Sequence, residues 1–164
     1  MRLSTIAALV SISACGFHPL YAPNGSTNAV LKQIYVNIIP NRNGQLLREA
    51  LQERLDGTGD GGEKHYELSV KLSYAGENVG IQPDTSSSRT RFVSTANWSL
   101  HKPGLIGTKI TSATARSVDG TNVIDEQFFY SELQSEAIQH RMADNLADQI
   151  VQELAMYFRA HPNA

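Results

Sequence analysis

The chain has 164 residues, of which 41% are hydrophobic and 18% charged, and its formal net charge at pH 7 is −2. This length suits one domain around one core, and the composition excludes a disordered chain. The small net charge argues against a general nucleic-acid-binding protein, since such proteins carry a strong basic excess, so no nucleic-acid partner is expected.

The first residues follow the order of a bacterial export signal. Arg2 is followed by an apolar run at residues 3–12 and then by the small residues Ser13 and Ala14, directly before Cys15. The run is too short to span a bilayer, because about 20 apolar residues are needed to cross about 30 Å of hydrocarbon. The segment ending at Cys15 resembles the bacterial lipobox, in which the signal is removed and the cysteine thiol accepts a diacylglycerol. We therefore predict a signal peptide at residues 1–14 and a lipid on Cys15.

Cys15 is the only cysteine of the chain, which fits an oxidising compartment because acylation protects the thiol from forming disulfides. A lipid anchor of this kind is stable when it carries more than one acyl chain. Gly16 follows the cysteine, whereas an Asp there is associated with inner-membrane retention in proteobacterial lipoproteins. This resemblance implies a periplasm-facing protein anchored in the outer membrane.

Residues 15–29 are predicted to form the lipidated N-terminus and a flexible tether, since their prolines and turn residues disfavour regular structure. The predicted domain covers residues 30–161. It begins with a β-rich run at residues 34–39, which Pro40 ends, and continues with a helix that Asn43 can cap. One face of this helix is apolar and contains Leu46, Leu47, Ala50, Leu51 and Leu55.

Three strands are predicted next. Apolar and polar residues alternate over residues 66–74, which indicates a strand with one buried face. The following strand begins near Arg89, and one set of its alternating residues faces the core: Phe92, Ala96, Trp98 and Leu100. A three-residue hairpin loop at residues 103–105 then leads into the third strand.

A long helix is predicted to end the chain. Ser131 and Gln134 have the spacing of a capping box at its start. Its apolar residues recur every three or four positions and form one stripe: Met142, Ala143, Leu146, Ala147, Ile150, Val151, Leu154 and Phe158. The order strand, helix, three strands, helix predicts an α+β fold, with two helices on one face of a roughly four-stranded, mainly antiparallel sheet.

The predicted hairpin loop fixes a register between the last two strands. It pairs Leu100 with Thr108 and Trp98 with Ile110, which keeps apolar groups on one face. Lys109 then lies on the opposite, polar face of the sheet.

Arg89 and Arg91 also belong to this polar face, because their parity is opposite to that of the core residues. In the predicted register Arg116 has the opposite parity to Lys109, so its side chain would point towards the core. Either a β-bulge shifts the register, or the strand has left the core by that point.

The basic residues Arg89, Arg91, Lys109 and Arg116 are the candidates for binding an anionic ligand. They lie in a stretch, residues 85–118, that contains no acid. Guanidinium and ammonium groups bind phosphates through charge-assisted hydrogen bonds, which are about twice as strong as neutral ones. In the alternative interpretation the face is merely solvated, and its bases balance the eight acids that follow residue 118.

Motifs of catalysis and of cofactor binding do not occur in the sequence. The five histidines are isolated and lack the spacing that places two zinc ligands on one helical face. The nucleophile motif Gly-x-Ser-x-Gly does not occur, and the glycine-rich stretch at residues 56–63 lacks the Gly-Lys-Ser/Thr ending of a phosphate loop. We therefore predict that the protein is not an enzyme and has no catalytic residue, metal or cofactor.

Three short segments resemble alphaproteobacterial members of the LptE family, the lipopolysaccharide-assembly lipoproteins. They are CGFHPLY at residues 15–21, LADQIV at 146–151 and LAMYF at 154–158. The resemblance implies that the protein sits as a plug inside a large β-barrel, LptD, and helps to place lipopolysaccharide in the outer leaflet. It also implies contact with lipopolysaccharide through basic residues of the sheet. The alternative function is that of an auxiliary lipoprotein in another envelope lipid-transport system.

Overall fold

The computed structural model describes residues 26–56, 63–81, 87–104, 107–122 and 128–162. Three helices and four strands follow one another along the chain: α1 (Ser26–Leu31), β1 (Ile34–Val36), α2 (Arg42–Asp56), β2 (Tyr66–Ile81), β3 (Ser87–His101), β4 (Lys109–Asn122) and α3 (Phe128–Ala160). The strands form one sheet in the order β1-β2-β3-β4, in which β1 and β2 are parallel and the other neighbours antiparallel. The predicted α+β fold is confirmed.

The described part of the N-terminal region begins with the short helix α1. The short helix α1 was not predicted, and it occupies the last residues of the segment that was expected to be a tether. Cys15 and the predicted signal peptide lie outside the described residues.

The core lies between α2, α3 and one face of the sheet. Alternating residues of β2 and β3 point into it, among them Leu68 and Leu100, which are fully buried. The predicted apolar stripe of α3 is buried along its whole length, from Met142 to Phe158. This arrangement follows from the two periods in the sequence, since residues two apart share a face of a strand and residues three or four apart share a face of a helix.

Both predicted helix caps are wrong. The first backbone hydrogen bond of α2 runs from Gln45 N–H to the carbonyl oxygen of Asn41, so Asn41 rather than Asn43 is the cap residue. Asn41 has a positive φ of 69°, a conformation that asparagine tolerates better than most residues. α3 begins at Phe128, so the predicted capping box at Ser131 falls inside the helix.

The predicted register between β3 and β4 is also wrong. Leu100 pairs with Thr111 and Trp98 with Ala113, so each partner lies three residues further along β4 than predicted. The connection is longer than a three-residue hairpin loop, and the register shifts between Leu100 and His101. An odd shift moves the side chains of β4 from Thr111 onward to the other face of the sheet, whereas Lys109, before the bulge, keeps its predicted face. Of the two explanations offered for Arg116, the β-bulge is therefore correct, and it places Arg116 on the face of the sheet opposite the core.

Ion pairs join the two large helices. Arg54 of α2 binds Asp148 at 2.6 Å and Asp144 at 3.2 Å, and Arg42 binds Glu136 at 2.6 Å. The hydrogen bond from Arg54 to Asp148 raises the pKa of the guanidinium above its ordinary value. Acids of α3 are thus paired with arginines of α2.

Candidate functional site

The sheet face opposite the helices, called here the outer face, is not covered by any described element. Its middle part consists mainly of small polar residues: Ser69, Ser73, Thr95, Asn97, Ser99, Ser112 and Thr114. The exposed side chains of Lys71 and Arg116 stand among them, so this part of the face is polar. Apolar groups on this face are concentrated towards the end of the sheet where β2 finishes and β3 begins.

Arg89 and Arg91 lie at that end, and both side chains are exposed on the outer face as predicted. Arg91 is paired with Glu77 of β2 on one side and with Gly120 of β4 on the other. Next to this pair, Val93 of β3 lies between Ala75 of β2 and Val118 of β4, and the three residues form an apolar row on the outer face. Cationic and apolar groups therefore alternate along this end of the sheet.

Although residues 85–118 contain no acid, strand pairing brings an acid of β2 to Arg91. Its guanidinium binds the carboxylate of Glu77 at 2.5 Å, and both side chains are about half exposed. The hydrogen bond and charge of Arg91 lower the pKa of Glu77 below its ordinary value, and the charge of Arg116 lowers it further. Glu77 therefore stays ionised at neutral pH, and the ion pair is lost only in acid, as the pH falls through the lowered pKa.

The side chain of Arg89 lies beside Gly120 of the neighbouring strand β4. A Cβ atom at Gly120 would be 3.4 Å from Nε of Arg89 and 3.7 Å from its Nη2. The absence of a side chain at Gly120 thus lets the guanidinium lie flat on the sheet. Arg89 makes no ion pair with an acid among the described residues.

A concave groove of about 460 Å³ opens between these side chains, and we call it the cationic groove. It is lined by Val79, Arg89, Arg91, Val118, Asp119 and Gly120. Val118 is 48% exposed and forms an apolar part of its wall. The groove therefore offers two guanidinium groups and apolar surface to one ligand.

The acid that borders the cationic groove is neutralised from the other side of the sheet. Both Nε and Nη2 of Arg141 on α3 bind one oxygen of Asp119, at 3.1 and 2.9 Å. The second oxygen accepts a hydrogen bond from the backbone N–H of Gly120 at 2.7 Å. Asp119 therefore does not cancel the charge of Arg89 and Arg91.

The other two predicted site residues lie at different distances from the cationic groove. Arg116 is on the outer face, four residues from Gly120 on the same strand, or about 13 Å at the usual rise of a strand. Lys109 pairs with His101 at the opposite end of the sheet. Ten residues separate His101 from Arg91, or about 33 Å along β3. The structure thus brings Arg89 and Arg91 together, with Arg116 nearby, and places Lys109 far from them.

Glu77 and Gly120 were missed by sequence reasoning. Neither belongs to the stretch at residues 85–118 that drew attention to the basic residues. Both meet Arg91 only through strand pairing, and the register of β4 was predicted wrongly. The parity of Glu77 within β2 was the one available signal, because it is opposite to that of the buried Leu68 and Val70.

No group of residues in the described part of the chain has the composition of a metal site. Among the same residues, no helix has the length and apolar character needed to cross a membrane.

The family described as "LptE: Lipopolysaccharide-assembly" matches residues 31–154, which include β1 to β4, α2 and most of α3. The chain belongs to the LptE family. Members of this family are non-enzymatic lipoproteins associated with the outer membrane. The resemblance read from the sequence is therefore confirmed. Among curated protein sequences there is no significant match.

Solved structures share the fold at low sequence identity. A lipoprotein from Caulobacter crescentus CB15 has a TM-score of 0.66 and 21% identity, with 85% of this chain and 100% of that chain covered. The rare lipoprotein B from Shewanella oneidensis has a TM-score of 0.59 and 12% identity, covering 79% of this chain and 97% of that chain. A minor lipoprotein from Acinetobacter baumannii has a TM-score of 0.59 and 18% identity, covering 78% of this chain and 95% of that chain.

Proposed function

We propose that this LptE-family protein is anchored in the outer membrane by lipid on Cys15, partners the β-barrel LptD, and binds lipopolysaccharide in the cationic groove. The observation that carries the proposal is the groove itself, where Arg89 and Arg91 stand beside exposed apolar surface on an uncovered sheet face. Guanidinium groups match the geometry of phosphates, and apolar walls match acyl chains. Lipopolysaccharide carries both chemical groups.

Glu77 of β2 balances Arg91, but the pattern of ion pairs favours this proposal over charge balance by the acids that follow residue 118. Acids of α3 pair with Arg42 and Arg54 of α2, and Asp119 pairs with Arg141. Among the ion pairs of the described residues, none joins an acid of α3 to a base of the outer face. The helices cannot neutralise this face, because they pack on the other side of the sheet.

Arg116 is proposed to take a secondary part in binding. It shares the outer face with the cationic groove, and its charge helps to lower the pKa of Glu77. Lys109 was a candidate from charge and parity, but its position about 33 Å away excludes a contact with the same phosphate.

The polar part of the outer face supports a barrel partner. The lumen of a large outer-membrane barrel is polar, and an exposed polar sheet face suits packing within such a lumen. Affinity purification of the tagged lipoprotein from detergent-solubilised membranes, followed by mass spectrometry, tests the partner. LptD is expected as the main co-purifying protein. Recovery of an inner-membrane lipid transporter without a barrel would support the alternative, an auxiliary lipoprotein of another lipid-transport system.

The lipid anchor gives a separate prediction. A fatty-acid analogue fed to the cells is expected to label the wild-type protein and not Cys15→Ala, because the thiol is the acceptor of the first lipid. Mass spectrometry of the wild-type protein is expected to find residues 1–14 removed. Equal labelling of both proteins would contradict this assignment.

A further inference from the structure

The two acids beside the cationic groove are held in different ways. Asp119 accepts three hydrogen bonds, two from Arg141 and one from the N–H of Gly120, and its side chain is 24% exposed. Glu77 accepts one hydrogen bond from Nη2 of Arg91 at 2.5 Å, and its side chain is 52% exposed. Asp119 is therefore a fixed part of the wall, whereas the carboxylate of Glu77 can leave Arg91 and turn into water.

The two arginines of the groove differ in the same respect. Arg89 makes no ion pair with an acid among the described residues, so its guanidinium is available to an anion from the start. Arg91 lies directly opposite Glu77 on the neighbouring strand and gives it a hydrogen bond from Nη2. This nitrogen contributes to both two-pronged contacts of a guanidinium, side-on with Nε and end-on with Nη1. An anion that binds Arg91 through two hydrogen bonds therefore competes with Glu77.

We propose that Glu77 is a built-in competitor for the phosphate group of the ligand. This inference rests on the proposed binding of lipopolysaccharide in the cationic groove. A phosphate first meets Arg89 and then displaces the carboxylate of Glu77 from Arg91. A phosphate ester has nearly two negative charges at pH 7 and three acceptor oxygens, so it displaces a carboxylate with a single charge. Glu77 thus lowers the affinity of the groove and eases the release of the ligand.

The same competition makes the groove selective for phosphate. A carboxylate on a ligand would replace a group of its own kind at Arg91 and gain little from the exchange. A phosphate gains charge and hydrogen bonds. Glu77 is therefore also a specificity-determining residue of the proposed site.

The alternative role for Glu77 is to position Arg91 for the ligand. Positioning residues are themselves fixed by packing and by further hydrogen bonds, as Asp119 is. Glu77 is half exposed on the uncovered outer face, which favours competition. The two roles predict opposite effects of removing the carboxylate.

Glu77→Gln tests the proposal, since it removes the charge and keeps the size of the side chain. It is expected to lower the Kd of the mature lipoprotein for purified lipopolysaccharide, measured in detergent, about threefold, within the range of an exposed ion pair. Glu67→Gln is the matched control, because it removes the same charge from the same face of β2 about 33 Å away. It is expected to change the Kd less than about 1.5-fold, because charges are screened beyond about 10 Å at 0.1 M ionic strength. A Glu77→Gln variant that binds no more tightly than Glu67→Gln would overturn the proposal.

Arg91→Gln, measured with and without Glu77→Gln, separates competition from the other effects of a charge. If Glu77 competes with the phosphate, Arg91→Gln weakens binding about threefold more in the Glu77→Gln background than in the wild type, because only there is Arg91 fully available. A positioning role predicts the smaller loss in the Glu77→Gln background. Simple repulsion of the ligand by Glu77 predicts equal losses. Either of these two results would overturn the proposal.

Arg89→Glu/Arg91→Glu shows whether a negative result concerns Glu77 or the groove. If this double variant binds lipopolysaccharide like the wild type, the proposed site is wrong and the role of Glu77 is refuted with it. If the double variant loses binding while Glu77→Gln gains none, the groove stands and only the role of Glu77 is refuted.

Discussion

Leu146→Asp is expected to unfold the domain at room temperature or leave it marginally stable. Leu146 is 1% exposed and lines a small cavity together with Leu47 of α2 and Leu72 of β2, so an Asp there places a carboxylate in the core. None of the described residues that line this cavity is a lysine or an arginine. A buried unpaired charge costs more than about 4 kcal/mol, which is a large share of the roughly 5–15 kcal/mol that stabilises an ordinary domain.

Urea unfolding of the mature protein followed by circular dichroism measures this effect. Asn145→Asp is the matched control, because it adds the same charge one residue earlier on α3, at an exposed position. This control is expected to change the free energy of unfolding by less than about 0.5 kcal/mol. Equal stability of Leu146→Asp and Asn145→Asp would show that the buried face of α3 has been assigned wrongly.

Arg89→Glu/Arg91→Glu is expected to weaken the binding of purified lipopolysaccharide by at least about tenfold, since a hydrogen bond to a charged group contributes about 1.5–3 kcal/mol. Both side chains are exposed on the outer face, so the fold should survive. The loss should be largest at low salt, because exposed charges are screened beyond about 10 Å at 0.1 M ionic strength.

The matched control for this variant is Lys102→Glu/Lys109→Glu. It makes the same change in net charge at exposed positions near the opposite end of the sheet. If the cationic groove is the binding site, the control should bind lipopolysaccharide almost as well as the wild type. An equal loss in both double variants would mean that binding follows net charge and not the groove.

The main elements of the fold could be predicted because they depend on local patterns. Alternation over β2 and β3 identified the buried faces that contain Leu68 and Trp98, and the helical spacing in α3 identified its stripe. These patterns survive in the structure because burying the apolar face is the dominant driving force of folding. The helix caps were predicted less well, since both α2 and α3 begin before the predicted cap residue.

The candidate site could be predicted only in part. The parity of Arg89 and Arg91 follows from that of the neighbouring core residues, so their exposure was accessible from the sequence. The positions of Glu77 and Gly120 depend on which strands are neighbours and on a bulge near Leu100. A single-residue error in register reverses the face of a whole strand, and the sequence contains no local signal that fixes it.

Photo-crosslinking in living cells tests most directly whether the cationic groove contacts lipopolysaccharide. A photoreactive amino acid in place of Val118, in the wall of the groove, is expected to form an adduct with lipopolysaccharide on irradiation. Met156 on α3 is equally exposed, at 48%, and lies on the helix layer, so the same replacement there is expected to give none. Adducts from both positions, or from Met156 alone, would contradict the account.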